Sequence, residues 1–209
     1  MRDYYAKRAP VYEDVYRRPE RAGDLARLAQ WLQEGCRGRY VLEVACGTGY
    51  WSRILAEVAA SVVAGDLLEE TLAEARSIAP ANVAFRRFDA LDLPADLGTY
   101  DAAFAGLWVS HVPYEALDGF FLGLRSHLEP GATVSLIDNT RAQLVDYPIV
   151  REDAHGNTYQ ERTLADGSKH EVLKNFPTTA RLDRAIADFG RRTGSLELEH
   201  FWAYRYVIG

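Results

Sequence analysis

Residues 40–51 read YVLEVACGTGYW, the pattern of a buried strand that runs through a glycine turn into a helix. Residues 40–45 are almost all apolar or β-favouring, as a central strand of a parallel sheet requires. Gly47 and Gly49 bracket the turn, where the absence of side chains lets the backbone approach a ligand closely. Glu43 is the exception, because a carboxylate inside such a strand is costly to bury without a partner. The segment therefore predicts an α/β fold with a ligand at the end of this strand.

A second acidic residue follows the next predicted strand. Residues 61–65 form a short, mostly apolar segment, and Asp66 comes directly after it. In doubly wound sheets, an acid at the tip of the second strand binds the ribose hydroxyls of an adenosine cofactor. A dinucleotide site would have a third glycine in the turn, where this chain has Ser52 beside the bulky Trp51. The spacing therefore favours a nucleoside, and a nicotinamide-dependent oxidoreductase is the alternative from another class.

Composition and charge narrow the class of protein. The chain has 209 residues, 48% of them hydrophobic, which suits one globular domain. The net charge of -6 argues against a nucleic-acid binder, which would present a basic face. Cys36 and Cys46 lack the spacing of metal ligands, and no apolar run approaches the length of a membrane span. We therefore expect a cytoplasmic protein without a metal or a membrane partner, either a monomer or a homodimer, that acts on a small molecule.

Strands and helices alternate along the chain after a helical start. We predict strands at 40–45, 61–65, 82–88, 100–105 and 131–138, and helices at 4–16, 49–59, 69–78, 115–128 and 179–190. One long or two short strands are predicted within 196–208. This alternation predicts a parallel sheet covered by helices. We treat residues 1–209 as a single domain, with a helical lid (1–39), a cofactor-binding core (40–138) and a substrate hairpin (156–176).

Tyrosines and one histidine form the first candidate group of functional side chains. Tyr5, Tyr12 and Tyr16 share one face of the predicted N-terminal helix. This face either closes over a ligand as a lid or simply packs its rings against the protein. His111 follows the fourth predicted strand, where it serves either as a general base and anion contact or as a cap of its own loop.

Two cations on the predicted hairpin form the second group. A two-residue Asp-Gly turn would put Arg162 and Lys174 on opposite faces of the hairpin. A three-residue loop at 165–167, with glycine in the left-handed conformation, would put them on the same face. Two cations on one face beside a crevice would bind an anion. The alternatives are a solvated, charged edge hairpin and a simple pairing of Arg162 with Glu171 across the strands.

Five landmarks, in order, resemble the class I S-adenosylmethionine-dependent methyltransferases. They are VLEVACGTG at 41–49, Asp66, FDA at 88–90, YDAAFA at 100–105 and PGA at 130–132. The resemblance implies a Rossmann-like sheet flanked by helices, with S-adenosylmethionine at the carboxyl ends of its first strands. The cofactor-binding residues that it implies are Tyr12, Glu43, Ala45, Gly47, Trp51, Asp66, Leu67, Asp89, Ala90 and Leu107.

A more specific resemblance extends over most of the chain. The tyrosine-rich start, LWVSHVP at 107–113 and RTLADGSKHEVLKNF at 162–176 are similar to the small phosphonate O-methyltransferases of dehydrophos biosynthesis and their bacterial relatives. In that family, lid tyrosines and hairpin cations hold the phosphonate. The resemblance implies substrate binding by Tyr5, Arg162 and Lys174, and catalytic roles for Tyr16 and His111. We therefore expect O-methylation of a small anion, with N- or S-methylation of a small molecule as the alternative.

Overall fold

The structure is a computed structural model that describes residues 2–209. The strands are β1 (Tyr40–Val44), β2 (Ser61–Asp66), β3 (Val83–Arg87), β4 (Tyr100–Gly106), β5 (Leu128–Asn139), β6 (Ile149–Glu152), β7 (Thr158–Thr163), β8 (Lys169–Leu173), β9 (Gly190–Glu197) and β10 (Phe201–Ile208). The α-helices are α1 (Arg2–Arg8), α2 (Ala22–Cys36), α3 (Tyr50–Ala56), α4 (Glu69–Ser77), α5 (Leu117–Arg125) and α6 (Thr179–Ile186). None of the helices in this range is both long and apolar enough to cross a membrane.

Seven strands form one sheet in the order β3-β2-β1-β4-β5-β10-β9. The pairs that join β3, β2, β1, β4 and β5 are parallel, and β10 is antiparallel to both of its neighbours. The predicted Rossmann-like α/β fold is therefore confirmed. The strand order reverses between β1 and β4, and a crevice opens at the carboxyl ends of the strands at such a switch point. The glycine turn after β1 lies at this edge.

The final helix is shorter than predicted. We predicted a helix over 179–190, whereas α6 ends at Ile186 and β9 already begins at Gly190. Strand β9 is the edge of the sheet, and its residues are exposed or only partly buried. An edge strand of this kind carries no run of apolar residues, which is why the sequence pattern did not reveal it.

The lid also differs from its prediction in its helix type. Instead of one helix over 4–16, α1 is followed by a 3-10 helix, Ala9–Tyr16, with a proline in its first turn. Pro10 has no backbone N–H and cannot continue an α-helix, so the chain changes pitch there. Buried side chains of the lid and of α2 then pack on one face of the large sheet, among them Tyr16, Leu28 and Leu32.

The predicted hairpin is present as β7 and β8, and an unpredicted strand, β6, extends it to three strands. Leu164 N donates to Ser168 O at 2.9 Å, which leaves a three-residue loop, and Gly167 has a left-handed φ of 79°. Arg162 lies opposite His170 in this register. Since alternate residues share a face, Arg162 and Lys174 lie on the same face of the small sheet.

Candidate functional site

Two cavities meet at the carboxyl edge of the large sheet. The first, here called the acidic cavity, encloses about 720 Å³ and is lined by Ala45, Gly47, Asp66, Leu67, Leu68, Thr71, Phe88, Asp89, Ala90 and Trp108. The second, the cationic cavity, encloses about 600 Å³ and is lined by Arg8, Asp14, Val15, Arg18, Arg21, Asn139, Gln143, Tyr147, Arg162 and Lys174. Tyr5, Tyr12, Leu107 and His111 line both. These four side chains therefore form the junction between the two cavities.

Unusual backbone conformations concentrate at the acidic cavity. Ala45 and Leu107 have φ angles of 53° and 56°, and they are the non-glycine residues with positive φ in the described part of the chain. Strain of this kind persists where a ligand site requires it. Gly47 also has a left-handed φ, and a side chain added there would meet the Tyr12 ring at 3.4 Å. The glycine turn and the lid are therefore packed closely at this point.

Asp66 closes the glycine turn from the second strand. Its Oδ2 accepts a hydrogen bond from Gly47 N and its Oδ1 accepts one from Leu68 N, both at 2.9 Å. Burial raises the pKa of Asp66, while these backbone donors act in the opposite direction. Each carboxylate oxygen keeps a lone pair for a further donor. Asp66 can therefore receive two hydroxyl groups of a ligand in the acidic cavity.

Two of the predicted cofactor-binding residues, Glu43 and Trp51, line neither cavity. Glu43 is buried in β1, where it accepts a 2.5 Å hydrogen bond from Ser52 Oγ, and burial raises its pKa to about 8. Trp51 is buried in the core and packs edge-on against Phe104, with 5.8 Å between the ring centroids. Both side chains support the turn from the sheet side. The structure places the other eight predicted residues on the wall of the acidic cavity.

Tyr16 lies apart from Tyr5 and Tyr12, with which it was predicted to share a functional face of the lid. Its ring stacks on Tyr50, with 3.8 Å between centroids and 7° between the planes. Burial raises the pKa of Tyr16 well above its ordinary value. Tyr16 lines neither of the two cavities, whereas Tyr5 and Tyr12 line both. The structure therefore places the predicted catalytic Tyr16 in the packing of the lid.

His111 is fixed in one neutral tautomer. Its Nδ1 lies 2.6 Å from the carbonyl oxygen of Leu173, which only accepts, so Nδ1 carries the proton. Nε2 then accepts a hydrogen bond from the Tyr5 hydroxyl at 3.0 Å. Burial, followed by the charges of Lys174 and Arg162, lowers the pKa of His111 to about 3. His111 therefore holds the Tyr5 ring at the junction of the cavities.

We expect His111 to stay neutral between about pH 8 and about pH 5, because its folded pKa lies well below the ordinary histidine range. The unfolded chain binds this proton below about pH 6.5 and the folded chain does not. The contribution of His111 to the free energy of unfolding therefore falls as the pH falls. NMR of protein labelled with ¹⁵N-histidine checks the tautomer. A His111 resonance that shifts with pH in this range would contradict the assignment.

Lys174 is buried with all three of its donors occupied. Only 1% of its surface is exposed, and its Nζ donates to Ser110 Oγ at 2.7 Å and to Asp138 Oδ1 and Asn139 Oδ1, both at 2.9 Å. Burial lowers the pKa of Lys174, against the opposing effect of Asp138. The predicted anion contact thus lies in the wall of the cationic cavity, but its charge is already paired. No sequence motif points to Asp138, which lies inside the buried strand β5.

Arg162 is the cation without such a partner. It is 5% exposed, and Nη2 donates to Gln160 Oε1 at 2.9 Å, while Nε has no hydrogen-bond partner among the described residues. Among the side chains at 4–8 and 12–209, no carboxylate lies within ion-pair distance of its guanidinium. Tyr147 packs under it, with the ring centroid 4.9 Å from the guanidinium carbon. A buried, unpaired guanidinium at a cavity can bind an anion.

Comparisons with known proteins identify the family of the chain. The methyltransferase domain family matches residues 41–131. Two structures of DhpI, a complex with SAH and a complex with SAM and HEP, are each 31% identical to the chain, with TM-scores of 0.81. The alignments cover 99% and 98% of this chain and 94% of DhpI.

A third structure shows the same fold at lower identity. The PH0226 protein from Pyrococcus horikoshii OT3 is 21% identical over the full length of both chains, with a TM-score of 0.79. None of the curated protein sequences matches the chain. The identity to DhpI over nearly the whole length, together with the glycine turn and Asp66, decides the family. The chain belongs to the class I S-adenosylmethionine-dependent methyltransferases.

Proposed function

We propose that the protein transfers the methyl group of S-adenosylmethionine to an oxygen of a small anionic metabolite of the phosphonate or carboxylate type. The observation that carries this proposal is the buried, unpaired Arg162 in a cavity that adjoins the cofactor cavity. Lys174 adds positive charge to the same wall, although Asp138 offsets it. Beside Arg162, a positive charge disfavours an ammonium group as the methyl acceptor and favours an oxyanion.

The acidic cavity fits an adenosine cofactor. Asp66 and Asp89 supply acceptors for ribose hydroxyls and for the adenine amino group, respectively. The buried Nε1 of Trp108 has no partner among the described residues, so it is a free donor on the same wall. Its hydrogen-bonding need would be met by an acceptor atom of the bound nucleoside. When bound, S-adenosylmethionine supplies an activated methyl group on a sulfonium.

The residues at the junction then have mainly a positioning role. Methyl transfer from a sulfonium requires the acceptor oxygen about 3 Å from the methyl carbon and in line with it. An oxyanion needs no general base, which agrees with a His111 that is neutral and already engaged with Tyr5. Tyr5 and Tyr12 cover the junction from the lid and exclude water from it. Tyr16 supports this lid through its stack on Tyr50.

Release of S-adenosylhomocysteine from a panel of acceptors tests the proposal. The panel pairs propylphosphonate and butyrate with propylamine and propanethiol, which have similar size and different charge. We expect turnover with one or both anions and none with the amine or thiol. Turnover confined to the amine or the thiol would overturn the proposed acceptor class and leave the family unaffected.

Replacing Asp66 with Ala tests the cofactor site. We expect the affinity for S-adenosylhomocysteine to fall by about 1–3 kcal/mol, because buried hydrogen bonds to the ribose are lost. Isothermal titration calorimetry measures this change, and Asp92→Asn at an exposed position nearby is the matched control. Equal affinities of the two variants would remove Asp66 from the ribose site.

A further inference from the structure

The cationic cavity contains a second group of unsatisfied polar atoms. Arg21 is 4% exposed, and its Nε has no hydrogen-bond partner among the described residues. The buried Oε1 of Gln143 also lacks a partner within that part of the chain. Both residues line the cationic cavity and neither lines the acidic one. They therefore mark a part of the cavity that lies away from the cofactor.

The other contacts of Arg21 are long. Its Nη1 donates to Val15 O at 3.4 Å and its Nη2 donates to Asp146 Oδ2 at 3.5 Å. The same oxygen of Asp146 accepts a 2.6 Å hydrogen bond from Arg18, so its charge is engaged chiefly by Arg18. Arg21 is far less exposed than Arg18, whose side chain is 39% exposed. The buried guanidinium of Arg21 is therefore only partly neutralised.

The orientation of the Gln143 amide follows from its neighbours. Its Nε2 donates to Asn139 Oδ1 at 3.2 Å, and the same oxygen accepts from Lys174 Nζ at 2.9 Å. Exchanging the nitrogen and oxygen of Gln143 would place two amide oxygens against each other. Oε1 is therefore an acceptor that is free to bind a donor of a ligand.

The two unsatisfied groups line the same cavity, and we call this part of it the Arg21 end. Asp146 connects them, because its backbone N–H donates to Gln143 O at 3.1 Å while its side chain contacts Arg21. A group complementary to this end has an anionic oxygen for Arg21 and a hydrogen-bond donor for Gln143. A carboxylate alone would leave Gln143 Oε1 without a donor.

We propose that the methyl acceptor is bifunctional, with the methylated anion at Arg162 and, at its other end, a carboxylate for Arg21 next to a hydroxyl or ammonium donor for Gln143. This inference rests on the proposed function. It narrows the substrate class to anions that also carry an α-hydroxy or α-amino carboxylate.

Calorimetry on the protein loaded with S-adenosylhomocysteine tests this inference without requiring turnover. The probes are propylphosphonate, 4-phosphonobutyrate, 2-hydroxy-4-phosphonobutyrate and 2-amino-4-phosphonobutyrate. We expect the carboxylate to tighten binding about tenfold, and the hydroxyl or amino group to tighten it about tenfold again, as a hydrogen bond to a charged group does. The better of the last two probes identifies the donor.

Two variants assign these gains to the two residues. Gln143→Met should abolish the gain from the hydroxyl or amino group, and Arg21→Gln should abolish the gain from the carboxylate. Gln30→Met and Arg17→Gln, at exposed positions, are the matched controls. Because each result is a ratio of affinities within one variant, a general loss of stability does not imitate it.

The outcomes separate this inference from the proposed function. If the four probes bind equally and anions are still methylated, the bifunctional acceptor is wrong and the proposed function stands. If no probe binds and no anion is methylated, the proposed function fails and this inference fails with it. Gains that persist in Gln143→Met and Arg21→Gln would also overturn the assignment.

Discussion

Replacing Arg162 with Gln is expected to raise the Michaelis constant for an anionic acceptor at least about 30-fold, the equivalent of about 2 kcal/mol. The reason is that Arg162 is buried and has no carboxylate partner in the part of the chain that the structure describes, so its charge is available to a bound anion. The affinity for S-adenosylhomocysteine should not change, because Arg162 lines only the cationic cavity. Steady-state kinetics and calorimetry measure the two quantities.

Arg151→Gln is the control for this variant. Arg151 belongs to the same small sheet, but it is exposed and pairs with Glu171 at 2.6 Å. Its replacement should leave the Michaelis constant unchanged. Arg162→Lys should give an intermediate value, because the charge remains and the planar pair of donors is lost. An Arg162→Gln enzyme with an unchanged Michaelis constant would remove this residue from the substrate site.

Replacing Lys174 with Met is expected to lower the free energy of unfolding by about 3–5 kcal/mol, because it leaves the charge of Asp138 buried without a counter-ion. Lys174 and Asp138 are both almost fully buried and lie 2.9 Å apart. Adding Asp138→Asn should recover part of this loss, because the charge itself is removed. Urea denaturation of the two variants and the wild type measures these differences.

The pH dependence of the Lys174→Met variant gives an independent check. In the wild type, burial raises the pKa of Asp138, but Lys174 and the other groups around the carboxylate together outweigh burial, so the net pKa lies below the ordinary range. The stability from this carboxylate is therefore present above its unfolded pKa and lost as the pH falls through its folded pKa. Without Lys174 the folded pKa of Asp138 rises above its unfolded value. The difference in the free energy of unfolding between the wild type and the variant should therefore shrink below about pH 5.

A different result would restore the direct role predicted for Lys174. Suppose that Lys174→Met is as stable as the wild type at neutral pH and raises the Michaelis constant for anions. The ammonium group of Lys174 then contributes more to substrate binding than to the pairing with Asp138. Pairing of Lys174 with Asp138 predicts instead that the main effect of the substitution is a lower free energy of unfolding. Measuring both quantities on the same variant distinguishes the two roles.

Much of the fold could be predicted because its signals are local. The apolar run of β1, its glycine turn and Asp66 lie in order along the chain, and each carries its own physical requirement. The strands that were missed are β6, which has only four residues, and most of β9, whose exposed and partly buried residues show no apolar pattern. Edge strands form because neighbours pair with their backbones, and side-chain periodicity records little of that.

The candidate site also has features that local sequence patterns predict and features that only the folded chain reveals. The α/β class, the acidic cavity and the two hairpin cations could be predicted from sequence patterns alone. The tertiary structure decided how the hairpin cations divide their roles, because the loop register sets their face and Asp138, 36 positions from Lys174, neutralises one of them. It also revealed Arg21 and Gln143, which have no motif. Whether a buried charge is paired depends on contacts between distant segments, and only the folded chain brings those segments together.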